Sequence, residues 1–280
     1  VRERKSIGEK MANFDRVLIT GASSGLGAGL ARALARPGAV LHLAGRDAER
    51  LATIAQACAR AGAEIVPRLL DVRDEAAMAD WIAGAGRLDL VVANAGISAG
   101  TSDAAGAPAL ESAAQTRAIF ATNLAGMLNT ALPALAVMAG QPADASGLRG
   151  RIAVVASLAA FVASPGAPSY CAAKAAADSW TVATAPAARR LGIGLTSLCP
   201  GFVATPMTAA NRFPMPGLMT ADRAARIMLR GIARGRVRVA FPWHIALGAR
   251  LAALLPTPLA LRMLALSPGK IAFGARPSTQ

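Results

Sequence analysis

The sequence predicts one α/β domain of the doubly wound type, with a mostly parallel seven-stranded sheet and helices on both faces. Three observations carry that reading. Short apolar runs bounded by turn residues alternate with longer Ala/Leu-rich stretches of helical spacing, a repeated β-α-β pattern. Most of these runs are continuously apolar, as strands buried on both faces are, and right-handed crossovers then place helices on each side of the sheet. No linker, composition shift or internal repeat divides the first 240 residues, and 54% hydrophobic residues in a chain of 280 is ample for one large core.

The strands are expected at Arg16–Thr20, Val40–Ala44, Ile65–Leu70, Leu88–Ala93, Arg151–Ser157, Gly194–Cys199 and Val237–Phe241. The first helix, Ala28–Arg36, follows a glycine-rich turn. A later helix, Ser169–Leu191, closes on Arg189, Arg190 and Gly192, a basic last turn followed by a terminating glycine. Pro186 inside it predicts a kink or an earlier end. Two Pro/Gly-rich loops, Phe161–Ser169 and Phe202–Thr220, follow strand C-terminal ends, the edge at which open α/β sheets bind ligands. Val1–Lys10 is charged and lacks the apolar run of a signal peptide. The expected organisation is therefore a disordered leader over 1–12, the α/β domain over 13–241, and a basic, apolar extension over 242–280.

Cys58, Cys171 and Cys199 are isolated and odd in number, which fits a reducing, cytoplasmic setting better than a disulfide framework, and no Cys/His cluster has metal-ligand spacing. The formal charge of +14 is uneven, because Arg223–Gln280 holds ten Lys/Arg and no Asp or Glu. That end reads either as an Arg-rich solvated surface or as a face drawn to anionic membrane; no nucleic-acid motif accompanies it.

Directly after the first strand comes Thr20-Gly21-Ala22-Ser23-Ser24-Gly25-Leu26-Gly27. Glycines allow a tight turn and close backbone approach to a phosphate, and the following helix N-terminus supplies N–H groups with a positive partial charge. This is the expected diphosphate loop of a dinucleotide site. At the end of the second strand an acidic residue would hold the ribose 2′-hydroxyl of NAD, whereas an arginine suits the 2′-phosphate of NADP. The chain there runs Gly45-Arg46, with Asp47 one position late, so NADP(H) is preferred and NAD(H) is the alternative.

Tyr170, the only tyrosine, and Lys174, one of four lysines, lie four residues apart on an expected helix and share a face. A free phenol titrates near about 10; a neighbouring ammonium favours the phenolate and brings the group into range for proton transfer. Tyr170 would then act as general acid in carbonyl reduction and as general base in alcohol oxidation. A serine hydrolase is a poor match, because G-x-S-x-G is absent and the only histidines, His42 and His244, read as structural.

The G-x-x-x-G-x-G loop resembles that of the short-chain dehydrogenase/reductase family, and further motifs follow in order. Asp71-Val72 looks like the pair that contacts the adenine. Asn94-Ala95-Gly96 resembles the element that supports the sheet and borders the cofactor, with Ala93 in place of a first asparagine. Asn123 matches the asparagine of a water-linked proton relay, and Ser157, thirteen residues before Tyr170, matches the serine that holds the substrate oxygen. The resemblance also gives Lys174 the nicotinamide ribose. Pro200-Gly201-Phe202-Val203-Ala204-Thr205 is similar to the segment in which Val203 and Thr205 hold the carboxamide. It implies a Rossmann-like fold, a homodimer or homotetramer, and an NADP(H)-dependent oxidoreductase; the alternative is a cofactor-binding regulatory or scaffolding protein with little turnover.

Phe161, Val162, Pro165, Pro168, Phe202, Met207, Phe213, Met215 and Met219 are expected to wall the substrate side, with Arg212 as the main charge, which suits a lipophilic carbonyl or alcohol. Pro242–Leu266 is apolar but broken by Arg250, Pro256, Pro258 and Arg262, too interrupted for a spanning helix. It is expected to close the pocket, to pack between subunits, or to lie flat on an anionic membrane.

Overall fold

The computed structural model describes residues 14–102, 109–209, 211, 213–265 and 272. The expected leader, Arg212 and most of the chain beyond 265 lie outside the described residues. The first half of the chain gives β1 (Arg16–Thr20), α1 (Gly25–Leu34), β2 (Val40–Gly45), α2 (Ala48–Arg60), β3 (Glu64–Leu69), α3 (Glu75–Gly84) and β4 (Leu90–Ala93). A long helical stretch follows as α4 (Ala113–Phe120), a π-helical segment (Ala121–Ala125) and α5 (Gly126–Gly140). Then come β5 (Gly150–Val155), a 3₁₀ turn (Leu158–Phe161), α6 (Pro168–Arg190) and β6 (Ile193–Pro200). The chain continues through β7 (Val203–Ala204), α7 (Pro206–Ala209), β8 (Met219–Thr220), α8 (Ala221–Ala233), β9 (Arg238–Phe241), α9 (Trp243–Ala252) and α10 (Thr257–Ala265).

Seven strands form one sheet in the order β3-β2-β1-β4-β5-β6-β9, and every neighbouring pair is parallel. The expected seven-stranded doubly wound sheet is therefore present and wholly parallel. Pleating sends Val17 and Ile19 to one layer, with α1, α2 and α8, and Leu18 to the other, with α3, α5 and α6. Winding reverses between β1 and β4, and at their C-terminal ends this opens the crevice in which such sheets bind ligands.

Several boundaries differ from the sequence reading for visible reasons. The β4 ladder begins at Leu90 rather than Leu88, because the Gln141 side chain takes both the Leu88 N–H and its carbonyl, at 2.7 and 3.0 Å. Helix α6 neither stops nor shortens at Pro186; buried Ala185 and Ala188 hold that turn against the core, and their packing outweighs the lost backbone bond. The stretch Ala113–Gly140 is long and apolar enough to cross a membrane, but it lays Met127, Ala131, Ala134 and Met138 on the sheet and is a core helix. At the sheet edge, the N–H groups of Glu64 and Leu70 donate inward to Ala39 and Gly45. Pro67 lies in the opposite phase of β3, so its nitrogen faces outward.

Candidate active site

The glycine loop is fastened to β4 by Thr20 and Asn94. Thr20 Oγ1 accepts the backbone N–H of Asn94 and Ala95 and donates to the Val92 carbonyl, while Asn94 Nδ2 donates to the carbonyls of Thr20 and Gly21. Gly21 and Gly25 take φ of +65° and +55°, where a side chain is strained. A Cβ on Gly27 would come within 2.2 Å of the Gly21 carbonyl oxygen. The loop thus keeps its backbone bare where the crevice opens. Helices α2, α3, α4 and α8 have side-chain caps from Asp47, Asp74, Ser112 and Thr220, but Ser24 makes no such bond to α1. The first N–H groups of α1, and the Ser23 and Ser24 side chains lining the cavity, remain for an anion.

At the end of β2, Arg46 is exposed, with Nη1 3.6 Å from Asp71 Oδ2. Asp47 caps α2 through the Arg50 N–H at 2.9 Å, and its other oxygen is held by Arg50 Nε at 2.7 Å. The Arg73 guanidinium grips both oxygens of Asp71 and holds its carboxyl down at about 2. Asn129 donates to the Val72 carbonyl at 2.9 Å, and Gly126 admits the Val72 side chain, so this corner is fixed by α5.

The Tyr170 and Ser157 hydroxyls share a hydrogen bond, and Ser157 Oγ also accepts the Ala159 N–H at 3.1 Å. Ser157 stands just beyond β5, as the cap of the 3₁₀ turn. One helical turn along α6, the buried Lys174 Nζ lies 5.9 Å from the Tyr170 ring centre and donates to the Val155 carbonyl at 2.7 Å. Burial lowers Lys174 to about 8. Burial raises the Tyr170 phenol, and the Ser157 bond pulls it the other way. The expectation that the neighbouring ammonium lowers the phenol is therefore corrected: desolvation is the largest influence and raises it. Asn123 is buried in the π-helical segment, clamped to Ile97 by two backbone bonds of 2.8 Å. A Cβ on Gly96 would meet Asn123 Oδ1 at 3.1 Å and Lys174 Nζ at 3.5 Å, so all three converge.

On the facing side, Pro200 and Gly201 lead into Val203, whose carbonyl accepts the Thr208 hydroxyl at 2.6 Å. Thr205 Oγ1 lies 3.3 Å from Thr208 Oγ1, and the Thr205 methyl sits against Gly25, closing the crevice between the two loops. A single cavity of about 720 Å³ joins Gly21, Ser23–Leu26, Arg46, Asp71 and Val72, Asn94–Gly96, Ser157, Tyr170, Lys174, Pro200–Val203 and Thr205. Its far wall is α9 and α10, through Ile245, Ala249, Ala252, Met263 and Leu264.

The short chain dehydrogenase family profile matches residues 15–214. This chain is a short-chain dehydrogenase/reductase. It is 39% identical over 251 residues to the "Uncharacterized oxidoreductase" of Myxococcus xanthus, covering 88% of this chain and 95% of that protein. A short-chain dehydrogenase/reductase from Burkholderia phymatum, solved in complex with NAD, superimposes with a TM-score of 0.74 at 25% identity over 85% of this chain and 92% of that one. A short-chain dehydrogenase from Sphingobium yanoikuyae, solved in complex with NADPH, shares the fold with a TM-score of 0.71 at 24% identity, over 86% and 96% of the two chains. The protein is accordingly an NAD(P)-dependent oxidoreductase of this family.

The structure brings Asn123, Ser157, Tyr170 and Lys174 into one cluster. It corrects part of the expected substrate wall. Val162, Phe202, Met207 and Phe213 line the cavity, but Met219 is buried in the core and Phe161, Pro165 and Pro168 border a second, adjoining apolar cavity. Phe161 is gripped instead between the guanidinium groups of Arg238, at 5.5 Å, and Arg250, at 4.8 Å. His244, read as structural, lines the substrate side of the cavity. Sequence reasoning missed Thr20, Arg50 and Thr208, since each touches the site through contacts distant in sequence or through a local turn.

Proposed function

We propose that this short-chain dehydrogenase/reductase is an NADP(H)-dependent enzyme interconverting a carbonyl and an alcohol on a lipophilic substrate. The observation that carries it is the Tyr170–Ser157 hydroxyl pair, with Lys174 one turn away, in the same cavity as the bare glycine loop. The cavity fits a dinucleotide: side chains are excluded at Gly21 and Gly27, the α1 terminus is uncapped, and polar groups continue from there to Thr205.

Bound there, a nicotinamide cofactor supplies or takes the hydride. Gly21–Gly27 with Ser23 and Ser24 would hold the diphosphate, and Arg46 with Arg50 a 2′-phosphate. Asp71 and Val72 would border the adenine, Asn94–Gly96 and Lys174 the ribose, and Pro200–Thr205 the carboxamide. Asp47 is engaged as a cap and by Arg50, which disfavours its use on a ribose hydroxyl. Ser157 and Tyr170 present two hydroxyls to one substrate oxygen. In reduction Tyr170 delivers its proton there; in oxidation it takes it back. The Ser157 hydrogen bond favours the phenolate against burial, and Asn123 fixes the Gly96–Ile97 backbone beside Lys174. Val162, Phe202, Met207, Phe213 and Ile245 give the substrate an apolar wall. Family membership supports a homodimer or homotetramer, and three buried cysteines that form no disulfide suit the cytoplasm.

Titration calorimetry with NADPH and NADH, followed by a carbonyl panel, tests the reading. Tyr170→Phe is expected to keep NADPH binding and lose roughly 10²–10⁴-fold in turnover. A Tyr170→Phe variant as active as the parent, on a substrate the parent reduces, overturns the assignment.

A further inference from the structure

Helix α9 presents apolar side chains both to the cavity and to its outer side. Ala246 and Ala252 are buried and Ile245 and Ala249 face the cavity, while Trp243, Leu247 and Leu251 recur at helical spacing on the outer face and Leu254 follows in the turn just beyond the helix. Those four are 74, 49, 55 and 80% exposed. Helix α10 extends the surface with Leu259 and Leu261, and none of its residues is buried. A nine-residue helix with so little packing is marginal on its own in water, so this face calls for a partner.

Charge selects the partner. Both helices carry arginine, Arg250 and Arg262, and neither carries a carboxylate. A second copy packed through a two-fold axis would set these arginines among their own counterparts with nothing to neutralise them. An anionic lipid surface supplies the opposite sign, takes leucine side chains at the acyl boundary and suits an indole at the interface. We propose that α9 and α10 dock the enzyme peripherally on anionic membrane, with Trp243, Leu247, Leu251 and Leu254 inserted and Arg262 at the headgroups. The inference is independent of the cofactor assignment, and the same helices wall the substrate cavity, so the docked face borders the site.

Flotation of the full chain with phosphatidylcholine vesicles, with and without phosphatidylserine, tests it directly. Partition is expected to be at least roughly tenfold greater with the anionic lipid, to fall as salt is raised, and to drop about fivefold in Arg262→Glu. The combined Trp243→Ser, Leu247→Gln, Leu251→Gln variant is expected to keep its far-ultraviolet spectrum and lose flotation. In the parent, brominated lipid should quench tryptophan emission, and Trp243→Phe should remove that quenching. No partition at low salt, equal partition on both vesicles, quenching that persists in Trp243→Phe, or a combined variant that still floats but has dissociated from dimer to monomer would each overturn the proposal.

Discussion

At the level of single side chains, the proposed preference for NADP(H) rests on what stands at the start of α2. Asp47 would be the natural acceptor for a ribose hydroxyl, but the Arg50 N–H and guanidinium hold it, and its carboxyl is depressed below the ordinary range by the backbone bond first. Arg46, paired loosely with Asp71, and Arg50, paired with Asp47, both line the cavity and form its cationic end. Replacing both with alanine should weaken NADPH binding on the order of tenfold or more while leaving NADH binding nearly unchanged or slightly improved, a difference calorimetry reads directly. Arg46 was legible because it follows a recognisable strand. Arg50 was not, because an arginine four residues on looks like any solvated helix position until Asp47 is seen to cap the helix and draw it inward.

Secondary-structure elements show the same division. The parallel strands could be read from their apolar runs, and Tyr170 and Lys174 from their spacing, since both signals are local. Nothing in Ala121-Thr122-Asn123-Leu124-Ala125 announces a π-helical turn, yet that extra residue in the turn is where Asn123 reaches Ile97. Equally illegible was the support beneath α6. Buried Asp178 accepts from Ser197 Oγ at 2.6 Å and pairs with Arg238 at 2.9 and 2.7 Å, tying α6 to β6 and β9. Arg238 in turn lies over Phe161, in the 3₁₀ turn that follows Ser157. Asp178→Ala should cost about 3 kcal/mol, toward the low end for a broken buried pair because Arg238 is a third exposed, and Ser197→Ala about 1 kcal/mol. Chemical denaturation measures both, and a loss in Asp178→Ala no larger than in Ser197→Ala would contradict the network's role.

For the whole molecule, burying a cationic lysine at the centre of the fold sets a pH dependence of stability. Lys174 is charged in folded and unfolded chains below about 8, so its desolvation cost is then fully present. Between about 8 and the ordinary 10.5 the unfolded chain holds the proton and the folded chain has released it, so stability must rise with pH through that window. Relative to Lys174→Met, the parent should gain on the order of 3 kcal/mol between those limits; unfolding curves at neutral and alkaline pH decide it, and a constant gap would refute the burial argument. The outermost strand raises a different matter, that of living in a crowded solution. A parallel sheet ends in two open rows of amide and carbonyl groups, and β3 offers its row to water with Ile65, Val66 and Leu69 close by. Pro67, whose nitrogen points outward, deletes a donor from the middle of that row, and Arg68 next to it adds charge. The pair acts as a guard against fibrillar growth along the edge, so Pro67→Val with Arg68→Thr should leave the fold and the active site in place while light scattering rises with concentration and time.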